Sequence, residues 1–273
     1  MRITYKYLPP ERISYFNDEL LRISHPCDLN DPYECLSVPP STQEAMKLCI
    51  ESHQQYISTI QDELKNNEEK IDFLNQALNT ELNKIKDDVH PNYKDHLVYN
   101  QNLRIDSTIF ILCFSKAWNS SVMWAHYCKN HTGFCIGFDK NNPLFNESGK
   151  DNTSSLLPIK YSNKRIKIPI EKNKIFKFAM KILLTKSLEW IYEKEERIIT
   201  SDLKTFKKIV KKDQEISLMK IPHSSISEVV VGLNIFKEDL DIIKEFSKIN
   251  GIPLYHCKTS DNFFKMDREL VIV

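Results

Sequence analysis

A chain of 273 residues, 41% hydrophobic and 27% charged, has the composition of a folded protein and can bury one large core or two modest ones. No run approaches the roughly 20 apolar residues that cross a bilayer, so no membrane partner is expected. A net charge of +1 argues against wholesale nucleic-acid binding, and seven irregularly spaced cysteines suit reduced thiols. With no apolar signal-peptide centre at the start, the expected location is cytoplasmic.

The opening ITYKY alternates, so Ile3, Tyr5 and Tyr7 share one face of a strand. Pro9-Pro10 ends it; Glu11 to Leu21 reads as a short helix and Leu21 to Ser24 as a second strand. LNDPYE is a turn, because proline disfavours helix at the aspartate before it. From Ser41 to Asp88 the chain has no proline or glycine, and Leu64, Ile71, Leu74, Leu78, Leu82 and Ile85 recur at helical spacing. This predicts a helical insertion, 41–90, within a single domain spanning 1–273. Its apolar stripe suits ordinary packing against the domain; the insertion could also be a lid, a homo-oligomer contact or a surface for a partner.

STIFILCFS, Ser107 to Ser115, is a continuous apolar run suited to a strand buried on both faces. A helix is expected over Ser121 to Lys129 and a strand over Phe134 to Asp139. Next come a helix from Lys174 to Trp190, strand character in EKEERIIT, and a buried strand in ISEVVVGLN. FKEDLDIIKEFSKIN is an amphipathic helix ended by Gly251, and IPLYHCKTS reads as the final strand. The irregular alternation predicts an α+β or mixed α/β domain.

Charge is uneven along the chain. Between Lys160 and Lys186 nine Lys or Arg face one Glu, and Lys204 to Lys212 adds five lysines. Lys164, Arg165 and Lys167 are candidates to contact nucleic-acid phosphates; a solvated lysine-rich face is the plainer alternative.

No G-x-G-x-x-G follows a strand and no Walker-type loop occurs, so any nucleotide must be held by another scheme. VMWAHYCKNHTGFCIGFD, Val122 to Asp139, carries His126, Cys128, His131 and Cys135, all natural zinc ligands, together with two of the five glycines. Their spacing matches no usual zinc pattern, and on a helix His126 and Cys128 diverge by about 200°. No metal is expected. In WIYEKEERI, a strand would set Glu193, Glu195 and Arg197 on one face, as two rigid carboxylates able to orient a ribose or stabilise an oxocarbenium ion. A helix would make Glu193 and Arg197 a surface pair of little consequence.

The ordered set YKY, NDPYE, CFS, MWAHYCKNHTG and WIYEKEERI resembles a bacterial domain-of-unknown-function family carrying N-D-P-[FY]-E, C-F-S, M-W-x-H-Y-x-x-x-H-x-G and W-x-Y-E-x-E-x-R in this order. Its element order is also similar, more distantly, to the DarT-type ADP-ribosyltransferases, toxins that modify DNA bases using NAD⁺. That resemblance implies a split-sheet ADP-ribosyltransferase-like fold gripping NAD⁺ between two sheets. It also implies transfer of ADP-ribose to a nucleic acid or protein, as in a toxin or phage-defence effector. Glu195 becomes the catalytic carboxylate with Glu193 in support, and Tyr5, Tyr7, Asn30, Ser121 and Tyr127 become candidates to line the donor pocket. Two positions depart from the toxin pattern: Lys6 stands for the usual histidine of the first strand, and Val122 for a proline.

Two alternatives stay open. Asp31, Glu34, Glu193 and Glu195 could hold Mg²⁺ in a nuclease, or the chain could be a catalytically silent binding module working through its insertion.

Overall fold

A computed structural model describes residues 2–38, 41–60, 64, 67–86, 109–146, 155–167, 175–201, 207–211 and 214–272. Residues 87–90 of the expected insertion, 107–108 of the expected apolar strand, and Lys172, Lys174, Lys204 and Lys212 lie outside them.

The strands are β1 (Ile3–Leu8), β2 (Leu20–Ile23), β3 (Ile109–Ser115), β4 (Phe134–Asp139), β5 (Leu157–Pro158), β6 (Lys160–Ser162), β7 (Thr185–Ser187), β8 (Glu195–Ser201), β9 (Lys207–Lys211), β10 (Gln214–Lys220), β11 (Ile226–Val231), β12 (Leu254–Thr259) and β13 (Met266–Val271). The α-helices are α1 (Tyr15–Asp18), α2 (Thr42–Thr59), α3 (Glu68–Lys86), α4 (Ser121–Tyr127), α5 (Pro143–Asn146), α6 (Ile175–Leu183) and α7 (Lys237–Asn250). No helix among the described residues is long and apolar enough to cross a membrane.

The chain forms two compact units: Met1–Glu34, Asp106–Asn163 and Leu184–Val273 make one, Cys35–Ile105 and Lys164–Leu183 the other. In the first, an eight-stranded mixed sheet runs β13-β12-β11-β4-β1-β3-β8-β5. Neighbours are antiparallel except β11 and β12, which are parallel and joined by α7, as a parallel pair requires. A three-stranded sheet, β2-β10-β9, adjoins it where Ser24 bridges Ile111.

The central strands are buried on both faces. Phe134, Ile136 and Phe138 of β4, with Val229 and Val231 of β11, enter one core with Leu8, Phe114 and Ile198. Cys135 and Val230 point the other way, into a cluster with Tyr5, Tyr7, Trp124 and Cys257. Period-two packing on both faces explains why these segments read as apolar strands.

In the second unit, Ser41 starts α2 with a capping box: its side chain accepts from the Glu44 amide, and the Glu44 carboxylate accepts from the Ser41 amide. α2 and α3 pack together; Leu64 is buried and Ile71, Leu74, Leu78 and Leu82 are half-buried, as the helical spacing implies.

The fold is thus mixed, with one large mixed sheet, smaller ones beside it and several helices. Several expected elements differ. Glu11 to Leu21 is a 3-10 turn, Pro10–Arg12, followed by the one-turn α1. The helix expected from Lys174 to Trp190 ends at Leu183, because Thr185–Ser187 pairs in parallel with β6. Lys207 to Lys211 is a strand paired with β10. β12 is followed by an edge strand, β13, whose Asp267, Arg268 and Glu269 suit an unpaired margin and hide its strand character.

Candidate active site

A tight reversal builds the site. The Ser187 hydroxyl accepts from the Glu189 amide and starts a 3-10 helix, Leu188–Glu193. Lys194 then takes a left-handed conformation, φ 46°, a costly one for a side chain with Cβ. The chain turns into β8 so that Glu193 and Glu195 flank one ammonium. Lys186 Nζ donates to Glu193 Oε2 at 2.6 Å and to Glu195 Oε2 at 3.1 Å. Glu193 therefore closes the 3-10 helix instead of sharing a strand face with Glu195, yet both converge.

Arg197, two residues along β8 and fully buried, forks Glu195: Nε donates to Oε1 at 2.7 Å and a terminal nitrogen to Oε2 at 3.1 Å. Glu34, from the NDPYE turn, is ion-paired to Arg197 and lies 3.6 Å from Lys186. The Glu195 amide donates to the Tyr161 hydroxyl at 2.7 Å. Three buried carboxylates thus share two buried cations, an arrangement that survives desolvation only through this mutual pairing.

Burial opposes the charge of Lys186, but Glu195 and Glu193 outweigh it and the lysine pKa is raised. Burial raises the Glu195 carboxyl, with Lys186 opposing it and the like charge of Glu193 adding to it. Burial lowers Arg197 to about 9, against the pull of Asp31, so the fork stays charged at neutral pH.

The network borders a cavity of about 240 Å³ where the two sheets adjoin. Lys6 of β1, Cys113 of β3 and Glu195 of β8 line it from the larger sheet, and Arg22 of β2 from the smaller one. Tyr127, near the end of α4, donates to Glu193 Oε1 at 2.5 Å and accepts from Asn30 Nδ2 at 3.1 Å. Tyr5 and Tyr7 also line the cavity, but their hydroxyls are committed: Tyr5 donates to Glu228 at 2.9 Å and Tyr7 to the Ala117 carbonyl at 2.9 Å. Ser121 is exposed and lies outside the lining; Ser120 is the helix cap, accepting from the Met123 amide. Lys164, Arg165 and Lys167 belong to the second unit, exposed, with Arg165 donating to the Ser37 carbonyl at 2.9 Å.

Glu196 points to the other face of β8. It is buried against Lys140 at 2.5 Å and Thr4 at 3.3 Å, with Lys116 at 3.7 Å.

The four zinc-type residues disperse. His126 Nδ1 meets the Tyr192 hydroxyl at 3.3 Å, Cys128 donates to the Phe134 carbonyl, His131 stacks on Trp124, and Cys135 is buried in the second core cluster. Among the described residues no three His, Cys, Asp or Glu form a metal-ligating group. The glycines here serve close approach: a Cβ on Gly133 would sit 2.1 Å from the Leu8 carbonyl oxygen, and one on Gly137 2.8 Å from Glu228. So Val122 to Asp139 is mostly the packed middle of a domain, with Tyr127 reaching the cavity.

Two cavity residues, Lys186 and Lys6, are only faintly marked by the sequence. Lys186 ends a lysine-rich stretch and looks like one more solvated charge; its signal is the apolar flank LLTKSL. Lys6 shows only as a departure from a pattern.

Residues 123–198 match a family model described as "Protein of unknown function (DUF2971)". The matched segment carries Tyr127, Lys186, Glu193 and Glu195, which line the cavity, and Arg197, which forks Glu195. No curated protein and no solved structure matches the chain.

Proposed function

We propose that the chain is an ADP-ribosyltransferase-like enzyme that takes NAD⁺ as substrate and transfers ADP-ribose to a nucleic acid or protein, as a toxin or phage-defence effector would. The observation that carries this reading is Glu195, fixed by the Arg197 fork and Lys186 at a cavity where two sheets adjoin. In the transfer the bond between the ribose anomeric carbon and nicotinamide breaks, and nicotinamide leaves as a neutral base. The acceptor's nucleophile bonds to that carbon and gives up its proton. Positive charge builds on the ribose ring as the bond lengthens. A carboxylate already oriented by its neighbours stabilises that charge without reorganising. Glu193, hydrogen-bonded by Tyr127, stands beside it as the group to receive the acceptor's proton.

The donor set supports this reading over the magnesium nuclease. Glu34, Glu193 and Glu195 turn their oxygens to Lys186 and Arg197, which occupy the positions where a divalent ion's charge would be needed. Asp31 accepts from the Tyr33 amide.

The test is to incubate the full chain with NAD⁺ labelled in its adenylate and a cell lysate, with and without EDTA. Label should enter a macromolecular fraction despite the chelator, and nuclease or protease treatment should name the acceptor class. Absence of label, or magnesium-dependent loss of nucleic acid, would defeat the proposal.

A further inference from the structure

The cavity has a second polar wall that bond cleavage does not employ. Lys6 enters from β1 and donates one hydrogen bond, 2.8 Å to the Cys113 carbonyl. An ammonium carries three donors, so two are left for a ligand. Arg22 lines the same cavity from β2, exposed and 3.3 Å from the Asp28 carboxylate. Two like charges therefore act on each other across one small cavity, which Lys186, Glu193 and Glu195 also line. An anion between them would relieve their repulsion and use the spare donors.

We infer that Lys6 and Arg22 form an anion-binding wall that takes the phosphates of a nucleoside diphosphate, while Glu193 and Glu195 face its ribose hydroxyls. The ribose half of this assignment rests on the NAD⁺ reading; the phosphate half does not. At about 240 Å³ the cavity is smaller than the roughly 300–1,000 Å³ of sites for drug-sized ligands, so it takes one ribose with its phosphates. The remainder of a dinucleotide would lie outside.

The lysine gives the wall a pH signature. Burial first, and the Arg22 charge as well, pull the Lys6 pKa below its ordinary value; Cys113 from β3, Glu195 from β8 and Glu193 from the preceding 3-10 helix pull the other way. Asp28 also lines the cavity, beside Arg22. Only the ammonium attracts a phosphate, so affinity falls as pH rises through that lowered pKa. A guanidinium in place of the Lys6 ammonium would hold its charge to higher pH than the lysine does.

Calorimetric titration of the full chain tests the wall, using inorganic pyrophosphate, ADP-ribose and uncharged adenosine at about pH 7 and about pH 9.5. Lys6→Met should weaken pyrophosphate and ADP-ribose by about tenfold or more, with adenosine unaffected. Lys6→Arg should retain binding and remove its fall at high pH. Arg22→Gln, at an exposed position, is the second variant should Lys6→Met fail to fold, and it should weaken pyrophosphate in the same direction. Wild type that binds neither anion, or variants that bind both as wild type does, would overturn the inference. Lys6-dependent pyrophosphate binding without ADP-ribosyl transfer would leave the wall standing and remove the NAD⁺ reading. Transfer with an unchanged KM for NAD⁺ in Lys6→Met would do the reverse.

Discussion

Arg197 donates through Nε to Glu195 Oε1 at 2.7 Å, two residues apart on one strand, with both side chains buried. Removing the guanidinium would strand Glu195 and Glu34 in a dry environment with Lys186 as their shared cation. Arg197→Met should therefore destabilise the fold by about 3–5 kcal/mol in urea denaturation. Arg197→Lys should recover only part of this, because a point charge cannot fork a carboxylate. A wild-type midpoint in Arg197→Met would mean the network is not a structural unit.

Glu195 and Glu196 separate the two faces of β8. Glu196→Gln should cost about 1–3 kcal/mol, since it weakens a buried contact to Lys140, yet leave activity per folded molecule intact. Glu195→Gln should lose activity instead. Thermal melts alongside transfer assays distinguish stability from chemistry; the opposite pattern would place the reacting centre on the wrong face.

Much of the sheet was legible because its residues are buried on both sides. β4 carries the apolar run FCIGF and β11 the run VVV, and Gly251 marks the end of α7 with a left-handed φ of 64°. β13 was not, since an edge strand carrying Asp267, Arg268 and Glu269 has no apolar alternation to detect. Residues 184–190 read as helix because pairing with β6 is a non-local contact, invisible in local periodicity. At the site, Glu193 and Glu195 stood out by spacing and Glu34 by its turn motif. Lys186 was hard to single out, because only the apolar flank LLTKSL sets it apart from the other lysines of the stretch.

Glu19 links the fold to acid. Its carboxylate accepts from the His223 amide at 2.8 Å and pairs with Lys220 at 3.0 Å. The amide hydrogen bond is the main cause that lowers its pKa, with Lys220 adding and burial opposing. A carboxyl held below its unfolded value stabilises the fold above that value, and the contribution fades as pH falls through the folded one. Glu19→Gln should thus flatten the stability profile below about pH 4.3 and lower its plateau at neutral pH. An unchanged acid limb in denaturant titrations would show that Glu19 is not so coupled.

The basic stretch predicts a salt effect. If Lys164, Arg165 and Lys167 meet phosphates, replacing all three with Gln should flatten the logarithmic salt dependence of nucleic-acid binding by about 0.9 for each phosphate left without its cation. Equal slopes for variant and wild type would assign them to a solvated surface, with Arg165 bracing the Ser37 carbonyl.

The most direct measurement is nicotinamide released from NAD⁺ by wild type and Glu195→Gln, compared at equal amounts of folded protein and in the presence of lysate acceptor. Removing a charge that acts chiefly in the transition state should lower release at least about 100-fold while NAD⁺ still binds. Wild-type release no faster than the uncatalysed background, or equal release from the two proteins, would contradict a role for Glu195 in opening the glycosidic bond.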